Sequence, residues 1–235
     1  MKGLSIGLVR VLTKPQEYFA RMDGFLENLW PGVKFQSEIL EGQPSGVHDA
    51  ATFASAEPKV VQASLALQKR GMDAVIVNCA MDPGVEEAAR HFRIPVYGAG
   101  SSAACLARAT SRPVGVLGLI DEVPPCMERI LKGRIVASVS PEGVENVLDL
   151  WGEKGKAATE KAAGRLVSAG AGAIVLACTG MTPMGVAHGL RQSTGLPVFD
   201  PLVSAVTLAL LLLRGELEGI TEEFRISSGF TGKGA

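Results

Sequence analysis

Cys79 and Cys178 each close an apolar, β-branched run, Asp73-Ala74-Val75-Ile76-Val77-Asn78 before the first and Ala173-Ile174-Val175-Leu176-Ala177 before the second. Such a run reads as a parallel strand buried on both faces, and here it delivers a thiol into the turn ahead of a helix. Pro183, five residues after Cys178, suits the opening of that helix. Backbone N–H groups and a helix dipole at such a place favour thiolate over thiol, so one cysteine is expected to be ionised near neutral pH. The same N–H groups can hold a substrate carboxylate or a developing oxyanion. Two thiols that meet a ligand from opposite sides suit inversion at a carbon bearing an acidic C–H. One removes a proton while the other delivers one to the opposite face, and no cofactor is required. The plainer alternative is a pair of core cysteines carried along by a duplication.

A duplication is visible. The two cysteines lie 99 residues apart, and the similarity continues past them. Ile94-Pro95-Val96-Tyr97 follows the first and Leu196-Pro197-Val198-Phe199 the second, each succeeded by a small-residue helical segment (Ser102–Ala107 and Ser204–Ala209). Arg112-Pro113-Val114-Gly115-Val116-Leu117 likewise restarts the pattern of Ser5-Ile6-Gly7-Leu8-Val9.

The elements that must position the thiols follow from periodicity and punctuation. Strands are predicted at Ser5–Leu12, Val33–Leu40, Ala74–Asn78, Pro95–Gly98 and Arg134–Val139, with a further one leading into Cys178. Helices are predicted at Pro15–Trp30, Lys59–Arg70, Gly84–Arg93, Ser101–Thr110, Pro125–Leu131, over a long region from about Pro141 to Ala169, and at Pro201–Leu213. Glu41–Thr52, with Gly42, Pro44, Ser45 and Gly46, is predicted to be a loop able to cover a site. The fold class is therefore α/β: two pseudo-symmetric lobes, each a parallel sheet with helices on both faces, with the active site in the cleft between them. Lobe one, carrying Cys79, is expected to comprise 1–110 plus 205–235, the late helix crossing back onto it. Lobe two, carrying Cys178, is expected to comprise 111–204. The segment 219–235 is expected to fray.

Composition narrows the function classes. Of 235 residues, 47% are hydrophobic and 20% charged, an ordinary globular balance. A formal net charge of −1 offers no basic excess for nucleic acid or an anionic membrane, so neither is expected as a partner. The uncharged run from Pro201 to Leu213 is shorter than the roughly 20 residues a bilayer span needs. The first residues read as a strand and not a signal peptide, so a cytoplasmic location is expected. Four cysteines without a C-x-x-C pair support neither a disulfide framework nor a structural zinc site. A small-molecule substrate is the expected partner, and an assembly of identical copies is compatible with the sequence.

At its cysteines the chain resembles the aspartate/glutamate/hydantoin racemase superfamily. Cys79-Ala80-Met81-Asp82-Pro83-Gly84 is similar to the Cys-x-x-Asp-Pro-Gly of the hydantoin racemase branch, and Cys178-Thr179-Gly180-Met181 to that branch's second motif. The amino-acid racemases carry Cys-Asn-Thr at the first site and Cys-Thr-His or Cys-Thr-Glu at the second. Ala80, Met81 and Gly180 depart from these, which argues against free glutamate or aspartate as substrate. The resemblance implies that Cys79 and Cys178 are the two catalytic bases, and that Thr179 and Gly180 line the oxyanion site. Where the hydantoin branch usually has Asn-Pro-Asn-Thr after its first strand, this chain has Arg10-Val11-Leu12-Thr13, and Thr13 alone matches.

Arg10, at a strand's carboxyl end, could pair with a substrate carboxylate or be a solvated surface residue. Asp82 could orient Cys79 or the substrate, or simply belong to a turn. Ser101 could touch ligand or cap a helix. With Thr13, Ala80, Met81, Thr179 and Gly180 these complete the candidate binding set, and no metal ligand is among them. His91 and His188 read as surface or packing residues, and Cys105 and Cys126 as inert. The leading expectation is a cofactor-independent racemase acting on a 5-substituted hydantoin or a related carbonyl or carboxylate compound. Alternatives are an amino-acid racemase, a maleate-type cis–trans isomerase with a covalent cysteine adduct, and a two-lobed binding protein. Arylmalonate decarboxylases use a single cysteine, so the pair argues against that chemistry.

Overall fold

A computed structural model of the chain describes residues 3–144, 147–150 and 152–214. The first half runs β1 (Ser5–Arg10), α1 (Gln16–Leu29), β2 (Lys34–Ile39), α2 (Ala50–Lys69), β3 (Ala74–Asn78), α3 (Val85–His91), β4 (Val96–Gly98) and α4 (Ala99–Ala109). The second half runs β5 (Val114–Leu117), α5 (Pro125–Leu131), β6 (Ile135–Val139), α6 (Glu153–Ser168), β7 (Ala173–Leu176), α7 (Val186–Thr194), β8 (Val198–Phe199) and α8 (Pro201–Leu213). Short 3-10 turns occupy Val147–Leu150 and Thr179–Met184.

The strands form two four-stranded sheets of matching order, β2-β1-β3-β4 and β6-β5-β7-β8, with every pairing parallel. The duplication is kept in register. Gly7 pairs with Val75 in the first sheet and Gly115 with Ile174 in the second. Both glycines are needed where they stand. A Cβ on Gly7 would meet Leu67 of α2 at 2.8 Å, and one on Gly115 would meet Leu166 of α6 at 2.9 Å. Each helix thus presses a leucine onto the bare backbone of its sheet's inner strand, which fixes how closely helix and sheet approach.

The core explains why the strands read as continuous apolar runs. Ile6, Leu8, Val75, Ile76, Val77, Val116, Ile174, Val175 and Leu176 have no exposed surface, because helices cover both faces of each sheet. The covering helices are exchanged between halves. Leu202, Ala205, Val206, Ala209 and Leu210 of α8 pack with Ile6, Leu8 and Ile76 of the first sheet. Ala103, Ala104 and Ala107 of α4 pack with Val114, Val116 and Val175 of the second. The sequence predicts the first of these crossings.

Two elements differ from expectation. The helix predicted from Lys59 begins at Ala50, because Asp49 and Thr52 form a reciprocal capping box that starts it early. Pro58 is tolerated inside it on the exposed side. The helix predicted from about Pro141 begins only at Glu153, since Gly152 turns the chain at φ +94°. The expected fraying of 219–235 lies outside the described residues. Among the described residues no helix is long and apolar enough to cross a membrane, and no cluster of His, Cys, Asp or Glu could hold a metal ion.

Candidate active site

Both thiols stand at the carboxyl ends of the third strands of their sheets, Cys79 one residue past β3 and Cys178 two past β7. Matching registers place them at matching points of the two lobes. They are near enough that the charge of Cys178 acts on Cys79. A direct tie joins the lobes beside them, the Thr179 hydroxyl donating to the Asn78 carbonyl at 3.3 Å.

Backbone N–H groups converge on both sulfurs, from Met81 and Asp82 at Cys79 and from Gly180 and Met181 at Cys178. These favour the thiolate, but burial opposes them and wins. Desolvation first, then the nearby charges of Asp82 and Cys178, push the Cys79 thiol up to about 12. Desolvation, with Asp200 adding to it, pushes Cys178 up to about 11. Burial thus favours the thiol form of both cysteines, against the expectation of a resting thiolate at neutral pH. The local structure gives a reason. The α3 helix starts at Val85, six residues after Cys79, and Cys178 precedes a 3-10 turn instead of a regular helix, so neither sulfur has a full helix dipole behind it.

The remaining predicted residues divide. Thr179 and Gly180 stand directly after Cys178, with the Gly180 N–H turned to its sulfur. Ala80 is buried and its carbonyl accepts from the Cys126 thiol at 3.3 Å, while Met81 is half-buried among the core residues beside Cys79. Thr13 accepts from the Gln43 N–H at 2.7 Å and donates to the Leu40 carbonyl, which pins the loop following β2. Ser101 is the third residue of α4, not its cap, and its N–H donates to Asp82 Oδ2 at 2.7 Å. Asp82 is buried and holds a left-handed backbone, φ +55°, which aspartate accepts more readily than most residues.

Arg10 lies fully buried beneath α1. Its guanidinium pairs with Asp23, donates from Nε to Ser37 Oγ at 3.1 Å, and has the Phe19 ring centre 5.0 Å away. Desolvation lowers it to about 10 even with Asp23 alongside. Its charge is thus already compensated within the protein.

Three further residues belong to the site. Asn78, buried at the end of β3, donates to Met22 Sδ at 3.4 Å and keeps a buried Oδ1 that no described residue satisfies. Tyr18 of α1, partly exposed, is raised first by burial and then by the charge of Cys178. Asp200, raised to about 6 by burial, caps α8 on the Cys178 side. Asn78 was legible as the polar residue ending an apolar strand, and Asp200 as the aspartate before Pro201. Tyr18 carries no such signal, because its helix face depends on how α1 docks. Separately, a largely apolar hollow of about 570 Å³ lies among Phe25, Leu29, Leu106, His188, Val203 and Thr207, and neither thiol lines it.

The sequence and the fold both have known relatives. The family described as Asp/Glu/Hydantoin racemase matches residues 40–209. A hydantoin racemase of Rhizobium meliloti is 27% identical over 186 residues, covering 72% of this chain and 72% of that protein. Allantoin racemase from Pseudomonas fluorescens has a similar structure, with a TM-score of 0.76 at 24% identity over 90% of this chain and 91% of that one. Allantoin racemase from Klebsiella pneumoniae superposes with a TM-score of 0.74 at 22% identity, over 90% and 89% of the two chains.

Proposed function

The chain belongs to the Asp/Glu/hydantoin racemase family, and from that premise we propose that it is a cofactor-independent racemase of 5-substituted hydantoins, with Cys79 and Cys178 as its two bases. The observation that carries this reading is the pair of thiols at matching strand ends of the two lobes, each with backbone N–H groups directed at it. In the reaction one sulfur, as thiolate, takes the proton from the ring carbon between a carbonyl and a nitrogen. The electron pair moves onto that carbonyl, and N–H groups of the two cysteine turns, with Thr179, stabilise the enolate oxygen. The other sulfur, as thiol, returns a proton to the opposite face. The enzyme is left with its thiol and thiolate exchanged, ready for the other enantiomer.

Two features favour a neutral cyclic amide over a dicarboxylate. The unsatisfied Asn78 Oδ1 can accept a ring N–H, which maleate lacks. Arg10, the cation that a carboxylate would seek at the end of β1, is already neutralised by Asp23. Both features weigh against the covalent cis–trans isomerase, and the compensated Arg10 also weighs against the amino-acid racemase.

The test is a screen of enantiopure 5-substituted hydantoins, allantoin, glutamate, aspartate and maleate, read by polarimetry and NMR. Decay of rotation to zero is expected with hydantoins. Turnover confined to the amino acids, or conversion of maleate to fumarate, would contradict the proposal.

A further inference from the structure

The two lobes agree in strand order and register, yet around the start of their last helices the sequence departs from repetition. The α4 and α8 helices begin at equivalent points, after β4 and β8, and their capping residues have nearly the same backbone: Gly98 at φ −84°, ψ 135° and Asp200 at φ −80°, ψ 130°. Lobe two caps its helix in the ordinary way. The Asp200 side chain accepts from the N–H of Val203, the third helical residue, at 3.0 Å. Lobe one has glycine at that position and no side chain to do this. The carboxylate arrives instead from the turn after Cys79. Gly100 and Ser101, the second and third residues of α4, donate to Asp82 Oδ1 at 2.8 Å and Oδ2 at 2.7 Å. A Cβ built on Gly98 would fall 2.2 Å from Asp82 Oδ2, so the visiting carboxylate occupies the space that a capping aspartate at 98 would use.

The exchange is complete at both ends. In lobe two the residue three after the cysteine is Met181, not aspartate, and the next one, Thr182, donates its hydroxyl to Asp200 Oδ1 at 2.9 Å. Each cysteine turn therefore touches one buried carboxylate at a helix start, through Asp82 itself in lobe one and through Thr182 in lobe two.

We propose that Asp82 and Asp200 are equivalent positioning residues, one per thiol, supplied from different places in the sequence to the same place in the fold. Each holds its cysteine turn against its helix start, and its charge adds to the effect of burial on the sulfur in its own lobe. A further consequence concerns binding: the N–H groups at the starts of α4 and α8 are occupied from within, so a substrate oxyanion must use those of the two cysteine turns. The charged and titratable groups facing each site are few. Asp82 acts on Cys79, Cys126 and Cys105, and Cys79 also feels Cys178. Asp200 acts on Cys178 and is itself lowered by Arg191, while Tyr18 of α1 feels the charge of the same thiol. The inference rests on the two-thiol reading for its bearing on catalysis, but its test needs no substrate.

Two measurements check it, made on the full chain. In the first, Asp82→Ala, Gly98→Asp and the double variant are compared with wild type by thermal melting. Each single change is expected to lower Tm, one by removing the cap and the other by crowding two carboxylates. The double variant rebuilds lobe two's arrangement in lobe one, and it is expected to recover most of the loss. If the single variants do not fold, recovery of folded protein in the double is the readout. A double variant no better than the worse single would overturn the equivalence. In the second, iodoacetamide labelling of each cysteine is followed by peptide mass spectrometry against pH, with added N-acetylcysteine as the reference thiol. Asp82→Asn is expected to move the Cys79 profile, and that of Cys126, to lower pH by about one unit while Cys178 stays. Asp200→Asn should move Cys178 alone. Profiles that shift together, or not at all, would overturn the positioning role whether or not the protein racemises hydantoins.

Discussion

Two neutral thiols cannot begin proton abstraction, so in the proposed mechanism the reactive enzyme is the minor form in which one of them has ionised. Because burial holds Cys178 near 11 and Cys79 near 12, the fraction of that form grows with pH throughout the neutral range. Racemisation, corrected for the uncatalysed rate, is expected to rise about tenfold per pH unit between roughly pH 6 and 8.5. A plateau across that interval would mean that a thiolate is already present at rest. At this scale the sequence marks the candidate residues and says little about their ionisation. Cys79 and Cys178 were legible because a thiol ending an apolar strand twice, at matched spacing, is hard to attribute to packing alone. Their proton affinity was not, since it depends on how tightly the lobes close over them, and no local pattern records that. Arg10 illustrates the same limit: its place at a strand end was readable, but the Asp23 that answers its charge comes from α1.

Elements were legible in proportion to their punctuation. β3 at Ala74–Asn78, α5 at Pro125–Leu131 and α8 at Pro201–Leu213 begin and end where their sequences predict, each bounded by a proline, an aspartate or a sharp change of polarity. The early start of α2 was hidden because Asp49 and Thr52 sit in a stretch otherwise rich in turn residues. The crossing of α4 to the second sheet left no trace either, since a small-residue helix such as Ala99–Ala109 packs equally well on either sheet. The glycines that seat α2 and α6 give the clearest test of how these layers are held apart. Gly115→Ala places a methyl against Leu166 in a core without free space, and urea unfolding is expected to show a loss of about 1–3 kcal/mol. Gly7→Ala should behave alike against Leu67. Stability unchanged in both would mean the helices are not seated as described.

For the whole molecule, the two site thiols tie stability to pH as well as rate. Cys79 and Cys178 have folded-state values raised above the 9.0 of an exposed cysteine. A raised value means the folded chain holds these protons more tightly than the unfolded one. Their contribution is therefore full below about pH 9 and is lost as pH climbs toward 11 and 12. Tm is expected to fall between pH 9 and 11, and to fall less steeply in the Cys79→Ser/Cys178→Ser variant. Equal slopes would place the alkaline loss elsewhere. The duplicated architecture underlies the proposal of one base per lobe, and that symmetry is the most direct thing to measure.

Cys79→Ser and Cys178→Ser are each expected to abolish net racemisation of an enantiopure hydantoin, because a serine hydroxyl is too weakly acidic to return the proton. In deuterated water the surviving cysteine should still remove and replace the ring proton on its own face. Each single variant should thus exchange deuterium into one enantiomer with retention, and the two variants should choose opposite enantiomers. Racemisation by either variant, or exchange of the same enantiomer by both, would contradict the assignment of one base to each lobe.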